Sequence, residues 1–198
     1  MKLIFARHGK DDDKYRGGWS EIDLTPEGIA QAKRLAKHLA DNQSIYKITH
    51  IISSDLPRAK TTANIISSEL GLPVKEEYNI REINNGDLSG MLNSVADKKY
   101  PGLYFRSLEM DEPYPNGESP KEFYLRIKDW FSNITSNSKN TNVNVLIVTH
   151  GGVINIVYHL VKNLEWSNKR KTFKSETCSI HIINTDTMEF EVENKTVF

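Results

Sequence analysis

Two histidine-glycine pairs each follow a short apolar run in the 198-residue sequence. His8 comes after Phe5-Ala6-Arg7, and His150 comes after Val148-Thr149. Such runs are typical of buried parallel strands, and open α/β sheets bind ligands beyond the carboxyl ends of those strands. Either histidine alone is better explained as a strand cap that hydrogen-bonds a neighbour. Two of them, with Arg7 beside the first, instead favour a catalytic site that binds an anion.

A second arginine occupies an unusual position for its charge. Arg58 follows a third predicted strand, Ile48 to Ser53, and stands beside Pro57 at the start of a predicted helix. The positive end of a helix is unfavourable for an arginine unless an anion lies between them. A pair with Asp55 or another nearby carboxylate is the alternative explanation. Arg7 and Arg58 together would offer planar guanidinium groups, whose paired N–H donors match the spacing of phosphoryl oxygens.

Five motifs in order resemble the histidine phosphatase superfamily, the phosphoglycerate mutase-like proteins, over nearly the whole chain. These are Arg7-His8-Gly9, Leu24-Thr25-Pro26-Glu27-Gly28 with Gln31-Ala32, Ser53-Ser54-Asp55-Leu56-Pro57-Arg58-Ala59 with Thr62-Ala63, Arg81-Glu82-Ile83 with Gly86, and Thr149-His150-Gly151-Gly152. The resemblance implies a three-layer α/β fold and an enzyme that works on phosphate esters without a cofactor.

The same resemblance assigns roles to the residues already singled out. His8 would attack a phosphoryl group and form a phosphohistidine that water hydrolyses. A backbone carbonyl would hold one ring nitrogen as a donor, which leaves a neutral imidazole as the nucleophile. Arg7 and Arg58 would bind the phosphate, and a cationic His150 would complete both the phosphate site and the catalytic set.

Glu82 is the residue that the resemblance makes the general acid for the leaving oxygen. Glutamate is normally ionised at neutral pH, so this role needs burial or nearby phosphate charge to favour the protonated form. An ordinary ion pair between Glu82 and Arg81 is the alternative explanation. The sequence leaves both open.

Six further residues are candidates for contact with the substrate: Lys10, Trp19, Glu118, Ser119, Gly151 and Ser179. Many family members have Glu or Gln, then Ser or Thr, after the first His-Gly, and Asn six positions beyond the histidine. Here Lys10, Asp11 and Lys14 occupy those places. Lys10 would supply a cation for a second acidic group on the substrate, whereas the run from Asp11 to Asp13 fits a solvated loop better.

Two of these candidates have an equally good structural explanation. Trp19 in the Gly17-Gly18-Trp19-Ser20 segment serves either the substrate or the packing beneath a loop. Ser119 precedes Pro120 and Glu122, and helix capping alone accounts for it.

The composition limits the partners and the compartment. Lys and Arg number 26 and Asp and Glu number 26, so no overall basic field attracts nucleic acid or a membrane surface. A single cysteine, Cys178, excludes an internal disulfide, and no apolar run reaches the ~18 residues of a membrane span. No signal-peptide core is evident. We therefore expect a cytoplasmic protein of undetermined oligomeric state.

Metal binding is not predicted. His38 and His50 are isolated in the sequence, and His150 and His159 would lie on different helical turns without a third ligand. We expect neither a metal nor an organic cofactor.

The predicted strands and helices that position these residues indicate one α/β domain over residues 1–198. One amphipathic helix begins at Thr25-Pro26-Glu27 and presents Ile29, Ala32, Leu35, Ala36 and Leu39 on one face. Later helices carry Phe123 to Ile134 and Val153 to Val161. A hairpin with outward glutamates follows near the end of the chain, from Ser179 to Glu193.

The predicted architecture is a three-layer sandwich with a mostly parallel central sheet and one antiparallel edge strand. Thr135 to Asn144 is predicted as a polar loop. Residues from about 84 to 116 form an irregular insertion over the site, with one helix near Leu92 to Tyr100.

The favoured function is hydrolysis of a small phosphorylated metabolite. The alternative is a phosphoglycerate mutase, an isomerase that uses the same phosphohistidine but must shelter it from water. Classical mutases carry a longer, strongly basic insertion and tail, which this sequence lacks. A binding protein without turnover is less favoured, because binding alone needs neither His8 nor Glu82.

Overall fold

A central sheet organises the computed structural model, which describes residues 1–136 and 143–196. Its strands are β1 (Lys2–Arg7), β2 (Ile48–Ser53), β3 (Val74–Glu76), β4 (Asn144–Thr149), β5 (Ile180–Asn184) and β6 (Glu189–Lys195). The order across the sheet is β3-β2-β4-β1-β5-β6. The first four strands of that order are mutually parallel, and β5 runs antiparallel to both β1 and β6. The expected sheet is confirmed, with the reversal placed in an edge hairpin.

Helices cover both faces of this sheet. They are α1 (Pro26–Asp41), α2 (Gln43–Tyr46), α3 (Pro57–Leu70), α4 (Asn93–Lys99), α5 (Pro120–Ser136) and α6 (Gly151–Val161). Leu3 and Phe5 of β1 pack in a core with residues of α5 and α6. Ile4 and Ala6 pack in a second core with residues of α1 and α3. This alternation along one strand produces the predicted three layers.

Helix α1 begins where its sequence predicted. Thr25 is the N-cap, and its hydroxyl accepts a hydrogen bond from the Gly28 amide at 3.1 Å. The predicted apolar face needs one correction, because Ile29 is 36% exposed. The buried face is rotated toward Gly28 and Gln31, since both pack against the chain at Lys10.

The segment from 84 to 116 is mostly irregular, and it contains α4 where one helix was predicted. A short 3-10 turn, Gly86–Leu88, precedes that helix. β3 was not predicted, because three residues are too few to establish an alternating pattern. Of the predicted polar loop 135–144, residues 137–142 lie outside the described residues, and α5 extends to Ser136.

The terminal hairpin has the predicted pattern. Glu189, Glu191 and Glu193 are exposed, while Phe190 and Val192 are partly buried between them. Glu191 pairs with Lys2 at 2.6 Å, and Glu193 pairs with a lysine of the loop after α6. Among the described helices, none has both the length and the apolar character that a membrane crossing requires.

Candidate active site

The two predicted histidines meet at the carboxyl ends of adjacent parallel strands. Arg7 of β1 is in register with Thr149 of β4, and the His8 amide donates to the Thr149 carbonyl at 3.0 Å. This pairing brings the His8 and His150 rings to 5.1 Å between centroids. The sheet therefore unites residues that lie 142 positions apart.

The His8 ring is fixed in one tautomer by the backbone. Its Nδ1 lies 2.7 Å from the Gly9 carbonyl, and because a carbonyl only accepts, this nitrogen carries the proton. Burial, together with the charges of Arg58 and Arg7, lowers the pKa of His8 well below its ordinary value of 6.5. The ring is therefore neutral near pH 7, and Nε2 holds a free electron pair.

His150 is fully buried, and its Nε2 lies 2.8 Å from the Ser54 hydroxyl. Burial lowers the pKa of His150 well below its ordinary value, and the neighbouring Arg58, His8 and Arg7 act in the same direction. The His150 ring is therefore neutral near pH 7 in the free protein, whereas the cationic form that we expect concerns the site with phosphate bound. The cause of the neutral form is desolvation, which the sequence alone does not reveal.

Arg58 reaches the site from the first turn of α3 and is only 2% exposed. Its guanidinium donates to the Gly18 carbonyl at 2.7 Å and to the Ser20 hydroxyl at 3.3 Å. The alternative pair between Arg58 and Asp55 does not form, because Arg81 binds Asp55 with two hydrogen bonds of 2.6 Å. Arg58 is thus held by neutral oxygens of Gly18 and Ser20, and Asp55 does not neutralise it.

Asp11 is the carboxylate that does approach Arg58. Its Oδ2 lies 3.5 Å from Arg58 Nε, and its side chain is 25% exposed. The preferred expectation of a solvated acidic loop therefore fails for Asp11, although not for Asp12 and Asp13, whose charges make no ion pair within the described residues. The loop turns Asp11 inward after Gly9, where an added Cβ would lie 2.5 Å from the Gly28 carbonyl.

Three buried nitrogen atoms at the site have no hydrogen-bond partner in the described parts of the chain. They are Arg7 Nε, Arg58 Nε and His150 Nδ1. Buried polar atoms are nearly always paired, so such a group calls for a ligand. An anion with several oxygens, such as a phosphoryl group, would satisfy the two arginine donors at once.

The carboxylate of Glu82 packs against the N-terminus of α6. Its Oε2 accepts from the Gly152 amide at 3.0 Å, and its Oε1 accepts from the Ile83 amide at 3.2 Å. The alternative pair with Arg81 is not formed, since that arginine binds Asp55. Trp19 Nε1 donates to the Glu82 carbonyl at 2.7 Å, which fixes the backbone at this residue. Trp19 therefore positions Glu82 and packs against Tyr78.

A cavity of about 190 Å³ lies beside Glu82 and Arg7. It is lined by Arg7, Glu82, Phe105, Phe123, Gly151, Gly152, Asn155, Trp166, Ser167, Asn168, Arg170 and Lys171. The candidate Gly151 is thus at the cavity wall. Phe105 belongs to the irregular segment 84–116, and Trp166, Arg170 and Lys171 belong to the loop between α6 and β5.

Two charged residues expected to reach the substrate are engaged elsewhere. Lys10 turns outward and pairs with Glu27 at 2.6 Å, because the acidic first turn of α1 is its neighbour. Glu118 binds the guanidinium of Arg126 at 2.7 and 2.9 Å and also accepts from the Asn84 amide. In the free protein these ion pairs occupy both charged groups, and contact of Lys10 and Glu118 with the substrate stays a prediction.

The two candidate serines also have other partners. Ser119 forms the capping box with Glu122, as its alternative explanation predicted. Ser179 donates to the Glu176 carbonyl at 2.7 Å and lies 3.0 Å from His181 Nε2. The Ser179 carbonyl accepts from the Arg7 amide at 3.2 Å, so Ser179 helps to fix the backbone of Arg7.

Several site residues were not recognised from the sequence. Thr62 accepts from the Gly9 amide at 3.1 Å and donates to the Arg58 carbonyl at 2.7 Å, one turn earlier in α3, which joins this helix to the loop after β1. Thr62 and Ser54 lie within the family motifs, which was the available signal. Ser175, whose carbonyl accepts from Arg7 at 2.7 Å, and Lys171 had no such signal.

The described side chains do not form a group that could bind a metal ion. Across residues 1–136 and 143–196, no three His, Cys, Asp or Glu side chains are grouped so that they could hold a metal ion. The residues present suit direct binding of an anion by arginines.

Comparison with known proteins places this site in a family context. The family model of the histidine phosphatase superfamily (branch 1) matches residues 3–196. Phosphoglycerate mutase-like protein 4 of Arabidopsis thaliana is 32% identical over 188 residues, which cover 91% of this chain and 78% of that protein. The 2,3-bisphosphoglycerate-dependent phosphoglycerate mutase of Afipia carboxidovorans is 29% identical over 203 residues, covering 98% of this chain and 96% of that protein.

A solved structure supports the fold independently. The alpha-ribazole phosphatase from Shigella flexneri superposes with a TM-score of 0.83 at 23% sequence identity. The superposition covers 100% of this chain and 98% of that chain. The resemblance extends through all three layers of the sandwich.

Proposed function

This chain belongs to the histidine phosphatase superfamily, and from that membership we propose that it hydrolyses a small phosphomonoester through a phosphohistidine on His8. The observation that carries the proposal is the neutral His8 ring, whose Nδ1 donates to the Gly9 carbonyl and leaves Nε2 free. The buried nitrogens Arg7 Nε, Arg58 Nε and His150 Nδ1 make no hydrogen bond within the described residues, and they supply the anion site of this proposal.

The reaction has two steps. His8 Nε2 forms a bond to phosphorus as the bond from phosphorus to the leaving oxygen breaks, and Glu82 gives that oxygen a proton. Water then attacks the phosphohistidine, Glu82 takes up the proton from the water, and inorganic phosphate leaves. Arg7 and Arg58 stabilise the charge on the equatorial oxygens in both steps.

His150 takes part after phosphate has bound. The free site keeps its ring neutral, because burial and the adjacent cations oppose a further positive charge. A phosphate dianion in contact with Arg58 reverses the sign of the nearest charge and favours the imidazolium. His150 is then a third cation for the transferred group, so the cationic form belongs to the complex.

The net negative charge of the segment from 84 to 116 favours hydrolysis over isomerisation. It holds three basic residues, Lys98, Lys99 and Arg106, against five acidic ones. A mutase must retain a highly charged bisphosphate away from water, and an acidic segment disfavours that retention. Chain length gives no distinction, because the Afipia carboxidovorans mutase aligns over nearly all of both chains. That relative keeps the mutase as the second candidate.

The two candidates differ in the product formed from 3-phosphoglycerate without a bisphosphate primer. We expect inorganic phosphate as the main product, with 2-phosphoglycerate as a minor one, because water competes for the phosphoenzyme. Phosphorus NMR of the reaction mixture measures both products. The enzyme with His8→Ala is the blank. Rapid formation of 2-phosphoglycerate with little inorganic phosphate, especially if a trace of bisphosphate accelerates it, would establish the mutase instead.

A further inference from the structure

Two cationic side chains in the cavity beside Glu82 have no protein partner. Arg170 and Lys171 line this cavity and are exposed. Neither forms an ion pair or a side-chain hydrogen bond within residues 1–136 and 143–196. Lys169 in the same loop differs, since it pairs with Glu109 at 2.9 Å and donates to the Leu108 carbonyl at 2.8 Å. The two cavity cations are therefore free to bind an anion.

The surroundings of Lys171 are electrostatically unfavourable in the free protein. Although Lys171 is exposed to solvent, the protein atoms around its ammonium group partly desolvate it and lower its pKa from the ordinary value; the charge of Arg7 lowers that pKa further, while Glu82 and Glu176 raise it. No carboxylate comes within ion-pair distance of its ammonium group in the described residues. A bound anion would relieve the repulsion between the two cations.

In the proposed reaction the leaving group would extend into this same cavity, whose lining includes Arg7 but not His8, Arg58 or His150. Glu82 is the proposed proton donor to the leaving oxygen, and Arg7 is a proposed ligand of the phosphoryl group, and both line the cavity. The remainder of the leaving group then extends past Glu82 toward Arg170 and Lys171. The volume of about 190 Å³ suits a small metabolite.

We infer that Lys171, assisted by Arg170, selects phosphomonoesters whose leaving group carries a second negatively charged group. This inference rests on the proposed function, because it uses Glu82 to locate the leaving group. It assigns to Lys171 the role that the sequence suggested for Lys10, whose ammonium group pairs with Glu27 in the free protein. The specificity cation is thus on the loop between α6 and β5, far in sequence from the phosphate motifs.

A matched pair of esters tests this selection. 3-Phosphoglycerate and glycerol 3-phosphate differ only in a carboxylate that replaces a hydroxymethyl group. We expect the wild-type protein to favour 3-phosphoglycerate in kcat/KM, and Lys171→Met to reduce that ratio about tenfold, since one charge-assisted contact is lost. Both esters are assayed on one preparation, so any loss of folded protein cancels from the ratio. Lys174→Met, in the same loop but outside the cavity, should leave the ratio unchanged.

A second pair identifies the anionic group that Lys171 recognises. Propane-1,3-diol bisphosphate and propane-1,3-diol monophosphate differ by one phosphate. If Lys171→Met changes the kcat/KM ratio only for 3-phosphoglycerate and glycerol 3-phosphate, Lys171 binds a carboxylate. If it changes the ratio only for the bisphosphate and the monophosphate, Lys171 binds a phosphate. Arg170→Met should weaken the same discrimination to a smaller extent. An unchanged ratio for both pairs in Lys171→Met overturns the inference.

Binding measurements separate this inference from the proposed function. Calorimetry with the His8→Ala protein gives the Kd of 3-phosphoglycerate and of glycerol 3-phosphate without turnover. Adding Lys171→Met should weaken the first about tenfold more than the second. If the wild-type protein releases phosphate from no ester, the proposed function fails, and the calorimetric difference still decides the role of Lys171. Equal weakening of both ligands would overturn that role.

Discussion

The His8→Ala protein should form no covalent phosphoenzyme, and its rate of phosphomonoester hydrolysis should fall at least about 10⁴-fold. His8 is the only protein group proposed to form a bond to phosphorus, and the remaining arginines can only bind the ester. Rapid quenching with a labelled phosphomonoester should trap label on wild-type protein in an acid-labile, alkali-stable bond. Digestion and mass spectrometry under alkaline conditions should locate that label on His8.

The control for this experiment is His50→Ala, which removes an exposed imidazole at β2 and should leave labelling and turnover near the wild-type level. His8→Ala also enlarges a buried site, so its thermal unfolding should be compared with that of the wild type. A folded His8→Ala protein that still becomes labelled would show that another residue is the nucleophile. The neighbouring His150 would then be the first to examine.

Glu82→Gln should produce losses that depend on the leaving group. A general acid matters most when the departing oxygen is strongly basic, so the phosphorylation step should slow on the order of 10²-fold or more for glycerol 3-phosphate. The loss for nitrophenyl phosphate should be much smaller, because its aryl oxygen leaves without a proton. Glutamine keeps an oxygen that can accept from the Gly152 amide, so the helix contact at 3.0 Å is preserved.

Single-turnover measurements are required for this comparison, since Glu82 also serves the attack of water on the phosphohistidine. Glu69→Gln, an exposed change on α3, is the matched control and should affect neither ester. Equal losses for the alkyl and aryl esters in the phosphorylation step would contradict the assignment. Glu82 would then act only on binding or on the local structure, and the proton donor would have to be another group.

The fold was largely predictable because its signals are local. Each predicted strand is a short apolar run, and the caps at Thr25 and Ser119 depend on residues within three positions. The missed features need longer-range information. β3 becomes a strand only by pairing with β2, and Ile29 is exposed because Gly28 approaches the chain at Lys10.

The candidate site likewise has features that local sequence predicts and features that depend on contacts between distant parts of the chain. The histidines and Arg58 follow strand ends, so topology brings them together once the strands are parallel. The pair of Asp11 with Arg58 and the placement of Lys171 beside Arg7 depend on how distant loops fold over the sheet. The charge of His150 depends on burial that only the assembled core creates. Sequence patterns therefore predicted which residues meet at the strand ends, but not the protonation state of His150 or the position of Lys171.

Phosphate bound to the buried nitrogens of Arg7, Arg58 and His150, as proposed, would link phosphate concentration to the thermodynamic stability of the folded protein. A ligand that binds only the native state stabilises it by RT ln(1 + [L]/Kd), which is about 2.7 kcal/mol when the ligand is at 100 times its Kd. Unfolding scatters the three nitrogens, which belong to β1, α3 and the start of α6, so the unfolded chain has no comparable site. Inorganic phosphate, the product of the proposed reaction, would therefore inhibit turnover and oppose unfolding through the same atoms.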